Sequence, residues 1–189
     1  QQMISRKIII IFSAFLLVSC STQKNTWWSR NYNSTTAKYN TLFNGEQSFK
    51  NGEKQLISNH QDNFSHILHI FPYSGPEKAG MVKGDMDRAI QKGHRAIRKR
   101  SITARPQRKP SRNNERANEF YNRREFNRYM DDAYLLIGKA HLYNHEFNDA
   151  INVFEHTLRE FPNQPARFDA LIWMARTRIE MGDFENALL

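Results

Sequence analysis

A short pattern of small and aromatic residues occurs twice near the carboxyl end of the sequence. The first copy has Gly138, Phe147 and Ala150, and the second has a small, an aromatic and a small residue 37 positions later in each case. A sequence that repeats at a period of 20–50 residues folds into an array of stacked units. No alternating strand pattern occurs anywhere in the chain, so the repeat predicts an all-α fold built from pairs of helices.

Residues 131–162 resemble a tetratricopeptide repeat, in which two antiparallel helices recur at about 34 residues. Tyr134 takes the first aromatic position, Gly138 the small contact position, Phe154 the later aromatic position, and Pro162 ends the unit. The departures from the pattern are His141, His145 and Thr157. The resemblance implies a superhelix of helical hairpins.

The second copy ends almost where its second helix begins. Gly182 takes the turn position, and the extra length relative to the first copy falls in the connector 163–168. The last residues, 184–189, leave an apolar face that a further helix would cover, and natural arrays end with a polar capping helix. We therefore expect the chain to be the N-terminal part of a longer array.

The amino-terminal segment has the order of a secretory signal. Arg6 and Lys7 precede a short apolar run over 8–18, and Leu17-Val18-Ser19-Cys20 resembles a bacterial lipobox. The resemblance implies cleavage before Cys20 and acylation of that residue, the only cysteine of the chain. The alternative is a signal-like segment with an incidental cysteine.

The sequence predicts five segments. They are a lipoprotein signal peptide (1–19), a lipid-anchored tether (20–36), an N-terminal helical region (37–100), a basic flexible loop (101–118) and the tetratricopeptide repeats (119–189). Trp27 and Trp28 interrupt the polar tether. Two roles remain open for them, contact with a membrane interface, where indole rings partition well, and docking onto the protein body.

The repeats predict a groove for a partner protein, because the first helices of such units line the concave surface. By position we expect it to be lined by Asp132, Leu135, Lys139, Tyr143, Asp169, Ile172, Arg176 and Glu180. Lys139 and Arg176 are equivalent positions and are placed to bind a carboxylate. The alternative is that both are solvated charges on the face of the array.

Positive charge is concentrated in the middle of the chain. The net charge is +9, and residues 83–124 contain fourteen Lys or Arg against four Asp or Glu. We expect a basic patch formed by a helical stripe (Arg88, Lys92, Arg95 and Lys99) and a loop (Arg105, Arg108, Lys109 and Arg112). Export excludes nucleic acid, which leaves an acidic protein surface, anionic lipid headgroups or lipopolysaccharide phosphate. A solvated helix without a ligand is the alternative.

The sequence contains no pattern typical of catalysis. It has no glycine-rich phosphate loop, no HExxH and no serine-centred elbow. The pairs His66/His69 and His141/His145 have helical spacing, but neither pair has a third potential ligand at a sequence spacing typical of a metal site. We predict no catalytic site, no metal and no cofactor.

The stretch from Ala37 to Gly45, AKYNTLFNG, follows soon after the lipobox and precedes the repeats. In this arrangement the chain resembles the SprE family, also called PorW, of gliding-motility lipoproteins of Bacteroidota. The resemblance implies a non-enzymatic outer-membrane lipoprotein that links the type IX secretion translocon to periplasmic ring and motor components. In many surface-exported lipoproteins of these bacteria, acidic residues follow the cysteine. None directly follows Cys20 here, which favours the periplasmic face. The alternative is a glycan-binding envelope lipoprotein with helical repeats.

Overall fold

A computed structural model describes residues 24–65, 68, 71 and 75–187, and all regular structure in those ranges is helical. The elements are α1 (Trp27–Thr36), a π-helical segment (Ala37–Leu42), α2 (Phe43–Ser58), α3 (Pro76–Arg100), α4 (Glu115–Tyr121), α5 (Met130–Tyr143), α6 (Phe147–Glu160), α7 (Ala166–Met181) and α8 (Phe184–Ala187). The all-α prediction is confirmed over these ranges. None of the helices described is both long enough and apolar enough to cross a bilayer.

Successive long helices pack on one another. Helix α2 contacts α3, α3 contacts α5, α5 contacts α6, and α6 contacts α7. Residues 144–146 and 161–165 are short connections, so α5, α6 and α7 run alternately up and down. Helix α5 also contacts α2 and α7. It therefore lies at the centre of the array, and its residues Ala133, Ile137 and Ala140 are fully buried.

Two glycines of the array allow neighbouring helices to approach closely around α5. A Cβ atom on Gly138 of α5 would lie 2.4 Å from Cε1 of Phe154 in α6. A Cβ atom on Gly93 of α3 would lie 2.5 Å from Cγ1 of Ile137 in α5. Both distances are far below van der Waals contact, so any larger residue would separate the helices.

Helix α2 uses glycine in the same way. A Cβ atom on Gly52 would lie 2.6 Å from Cε of Met86 in α3, and one on Gly45 would lie 2.8 Å from Cδ2 of Leu136 in α5. Glycine lowers helix stability by about 1 kcal/mol relative to alanine. The packing of α2 against two helices offsets that cost.

Residues 27–36 form helix α1, where the sequence predicted a tether. The side chain of Thr26 caps the helix by accepting from the N–H of Ser29. The buried hydroxyl of Ser34 donates to Oδ1 of Asn127 at 3.1 Å. The polar side chains of this segment suggested a solvated linker, but Ser34 forms a buried hydrogen bond in the structure. Helix α1 continues through the π-helical segment into α2.

The loop 101–118 is pinned at its start and helical at its end, which differs from the predicted flexible loop. Glu125 accepts from the N–H of Ile102 at 2.8 Å and from the hydroxyl of Ser101. Asn127 donates to the carbonyl of Arg100 at 2.8 Å, and Ile102 is buried. Helix α4 then begins at Glu115, so only residues 103–114 lie outside regular structure and this pinned segment.

We expect Gly138→Ala to lower the free energy of unfolding by about 1–3 kcal/mol, because the added methyl group overpacks the contact with Phe154. Gly84→Ala is the matched control. It adds the same methyl group to the middle of α3, where no atom lies within 4 Å. It should raise the free energy of unfolding by about 0.5–1 kcal/mol through helix propensity. Urea denaturation measures both, and a Gly138→Ala protein as stable as the parent would contradict the packing described here.

Candidate partner-binding groove

A groove of about 300 Å³ lies between helices α2, α5 and α7. Four of the residues predicted from the repeats line it, namely Asp132, Leu135, Lys139 and Asp169. Helix α2 supplies a second wall that the sequence prediction did not include, with Glu46, Phe49, Lys50 and Glu53. Leu135, Leu136 and Phe49 form the apolar part of the groove, and the charged side chains surround it.

Lys139 lies inside the groove against an aromatic ring and is influenced by the charges of carboxylates. Its Nζ lies 4.8 Å from the ring centroid of Trp173, which is cation–π distance. Burial lowers the pKa of Lys139, and the charges of Asp169 and Asp132 oppose that effect. The ammonium group is therefore already partnered within the protein.

The carboxylates of the groove outnumber its cations. Glu46, Glu53, Asp132 and Asp169 line the groove together with only two lysines. Burial, and next the negative charge of Glu46, raise the pKa of Asp132 above its ordinary value. Four carboxylates against two ammonium groups give the lining a net negative charge. The groove is therefore suited to a positively charged group.

Arg176 does not face the groove as a free cation. Its Nε donates to Oε1 of Glu180 at 2.8 Å, and the side chains of this pair are 18% and 5% exposed. The guanidinium also lies 4.4 Å from the ring centroid of Phe71 and 5.0 Å from that of Trp173. The prediction that Arg176 is free to bind a partner carboxylate is wrong, because the protein itself supplies its partners.

Tyr143, another predicted groove residue, is also used for internal contacts. Its hydroxyl donates to Oε1 of Glu53 at 3.1 Å, and its ring packs edge-on against Phe49. Burial raises the pKa of Tyr143 to about 12. Tyr143 therefore connects the end of α5 to α2 and closes one end of the groove.

Ile172 lies outside the groove, contrary to the prediction. It borders a second depression of about 300 Å³ between α7 and α8, together with Leu171 and Ala175. Trp173 occupies the groove side instead. It follows Asp169 by four positions and precedes Arg176 by three, so helical spacing alone places these three residues on one face.

The basic residues predicted on α3 and in the following loop remain at the surface. Arg88, Arg95 and Lys99 are exposed and Lys92 is half-buried on α3. Arg105, Arg108, Lys109 and Arg112 are all exposed in the loop. The opposite face of α3 is buried through Val82, Met86, Ala89, Gly93 and Ala96.

The histidine pairs do not form paired ligand sets among the described residues. His66 and His69 lie outside the residues that the structure describes. Nδ1 of His141 lies 2.6 Å from Oε2 of Glu146, whereas His145 stacks on Phe147. Ligand atoms of His141, Glu146 and Asp149 lie within 4.8 Å of one another. The hydrogen bond between the first two accounts for this closeness, and Lys83 lies 3.4 Å from Glu146, where it would repel a cation.

A third cavity, of about 380 Å³, lies where residues 119–125 meet residues 159–164. An ion pair joins its two sides, with Nη1 of Arg124 at 2.8 Å from Oε1 of Glu160. Its lining contains neither a histidine nor a cysteine, serine or threonine.

Comparison with protein-family models finds no match to this sequence, and comparison with curated proteins finds none either. The groove and the surface charges are therefore the basis for the function proposed below.

We expect Arg176→Ala to lower the free energy of unfolding by about 3 kcal/mol, because it leaves the buried carboxylate of Glu180 without its partner. Arg159→Ala is the matched control, since Arg159 forms the same kind of pair with Glu155, four residues earlier on an exposed helix face. Exposed pairs of this kind contribute under about 1 kcal/mol. Equal effects of the two substitutions in thermal or urea denaturation would contradict a structural role for Arg176.

Proposed function

We propose that this protein is a scaffold of tetratricopeptide repeats that binds a partner protein in the groove between α2, α5 and α7. The close contact of Gly138 with Phe154 supports the repeat, because the small residue of the first helix faces the later aromatic of the second. The turn positions support it as well. His145 and Gly182, 37 residues apart, both have left-handed backbone, with φ of 61° and 80°.

The charge of the groove supports one class of partner. Four carboxylates line it, Lys139 lies against the ring of Trp173, and Arg176 is paired with Glu180. A lysine or arginine of the partner complements these carboxylates, and a short apolar side chain next to it fits against Leu135 and Phe49. The partner segment is therefore basic, where the sequence alone favoured an acidic one.

The proposed localisation rests on the sequence motifs. Cys20 lies outside the described residues, and the lipobox that it ends supports lipid anchorage. We infer an outer-membrane lipoprotein on the periplasmic face, of the SprE or PorW type. Its partners are then envelope proteins of the type IX secretion and gliding machinery. Binding is the activity that we propose for the groove.

Neutralising the groove tests this function. We expect Asp132→Asn with Asp169→Asn to reduce cross-linked capture of envelope partners by the membrane-anchored protein about tenfold, because each removes a charge that faces the basic segment. Asp149→Asn with Glu185→Gln removes two exposed carboxylates elsewhere and should leave capture unchanged. Quantitative mass spectrometry of the captured proteins measures the difference. Equal capture by both double variants would exclude the groove as the binding surface.

The pH dependence of capture follows from the same charges. Protonation of a groove carboxylate removes attraction for a cation, so capture should weaken as the pH falls below neutrality. The raised pKa of Asp132 means that the loss begins at a higher pH than for an ordinary aspartate. In the Asp132→Asn protein this first part of the loss should be absent. A capture profile that is flat with pH would contradict an acidic groove.

Anchorage has a separate test. We expect Cys20→Ser to release the protein from membranes that are washed at high salt, because the acyl chains that give stable anchoring can no longer be attached and salt screens any attraction to headgroups. Ser19→Ala, one position earlier, is the control and should leave the protein in the membrane fraction. A Cys20→Ser protein that remained with membranes to the same extent would contradict the lipoprotein assignment and leave the groove proposal standing.

A further inference from the structure

Three aromatic rings stand exposed at the amino-terminal end of α1. Trp27 is 59% exposed, Trp28 is 77% exposed, and Tyr32 is 56% exposed. The two indoles contact each other edge to face at 4.6 Å. Trp28 and Tyr32 are four residues apart and share a helix face. The side of α1 that is buried carries Asn33 and Ser34 instead, so the rings are turned away from the protein interior.

The basic loop is fastened beside these rings. Nδ2 of Asn25, two residues before Trp27, donates to the carbonyl of Ala104 at 2.7 Å. Arg105 directly follows Ala104. The loop therefore passes next to the start of α1 at residue 104. From there it carries four exposed cations, namely Arg105, Arg108, Lys109 and Arg112.

Further contacts hold the helices on either side of the loop against α1. The guanidinium of Arg30 lies 5.2 Å from the ring centroid of Phe120 in α4, and its Nη1 donates to Oδ1 of Asn25 at 2.6 Å. Arg100 lies 5.3 Å from the ring centroid of Tyr32. The rings of α1 and the cations of the loop thus form one aromatic–basic surface, composed of Trp27, Trp28, Tyr32 and the cations of residues 105–112.

The absence of acidic residues from this surface is a property of the sequence. Neither residues 24–45 nor residues 101–114 include an Asp or a Glu. Carboxylates within these two segments would repel anionic headgroups, and neither segment contains one. The surface therefore combines cations with amphipathic rings over two separate segments.

We propose that this aromatic–basic surface docks onto anionic phospholipid headgroups. Tryptophan and tyrosine rings favour the boundary between hydrocarbon and water. A lysine or arginine beside an anionic bilayer strengthens binding by about fivefold. Exposed indoles also occur in protein–protein interfaces, so the choice of lipid rests on the closeness of this surface to the proposed lipid anchor.

The docked surface lies close to the proposed lipid anchor, and this step rests on the proposed function. Trp27 follows Cys20 by seven residues, which span at most about 25 Å when fully extended. Acyl chains at Cys20 and rings at α1 then bind the same leaflet. The surface determines the orientation of the folded protein relative to the membrane, whereas the acyl chains determine only its attachment.

The test uses residues 20–189 with Cys20→Ser, so that no acyl chain contributes. All contacts described above lie within residues 24–187 and are retained. We expect this protein to sediment with vesicles of phosphatidylcholine and phosphatidylglycerol, to do so less as salt rises, and to bind phosphatidylcholine vesicles only weakly. Failure to bind the anionic vesicles at low salt would overturn the proposal. It would leave partner capture by the groove untouched.

Matched variants distinguish binding through this surface from the nonspecific attraction of any basic protein to anionic vesicles. Trp27→Ala with Trp28→Ala should weaken binding to the anionic vesicles about tenfold, whereas Phe168→Ala with Phe184→Ala, two rings exposed elsewhere, should not. Arg108→Gln with Arg112→Gln should weaken it, and Arg159→Gln with Arg167→Gln should have a much smaller effect. Circular dichroism checks that all four proteins are folded. Equal losses in target and control variants would overturn the proposal.

Discussion

Close approach of helix backbones at glycine is the constraint on which the rest of the structure depends. Gly52 of α2, Gly93 of α3 and Gly138 of α5 each lie where a single methyl group would collide with the next helix. Each contact joins two helices that are neighbours in the packing order. The side chains that fill the remaining space, such as Met86 and Phe154, are fully buried. Small residues on one helix and large ones on its neighbour thus set the spacing of the whole array.

The groove is a consequence of that spacing. Because Gly45 allows α2 to lie against Leu136, the acidic side chains of α2 come opposite Asp132 of α5. Tyr143 then joins the end of α5 to Glu53. Two of the four groove carboxylates, Glu46 and Glu53, therefore come from α2, a helix outside the repeats. A repeat array without α2 would present Lys139 with fewer carboxylates and would favour a different partner.

The sequence was sufficient for features that depend on local periodicity. It predicted an all-α chain, and it placed Asp132, Leu135, Lys139 and Asp169 on surfaces that do meet. It was insufficient where partners are distant in sequence. Arg176 and Glu180 are four residues apart, so their pairing can be predicted from helical spacing. The aromatic rings around the Arg176 guanidinium come from residues 71, 143 and 173. Ser34 of helix α1 donates to Asn127, 93 residues away, and no local pattern reveals this contact.

The central claim is that the acidic groove is the surface that a partner occupies. Site-specific photo-cross-linking in the native envelope tests it most directly. A photoreactive residue at position 50 lies on the α2 side of the groove, and one at position 152 lies on an exposed part of α6 away from it. The account predicts a discrete cross-linked protein from position 50, with a basic segment at the cross-linked site, and none from position 152. Cross-links from position 152 alone would contradict it.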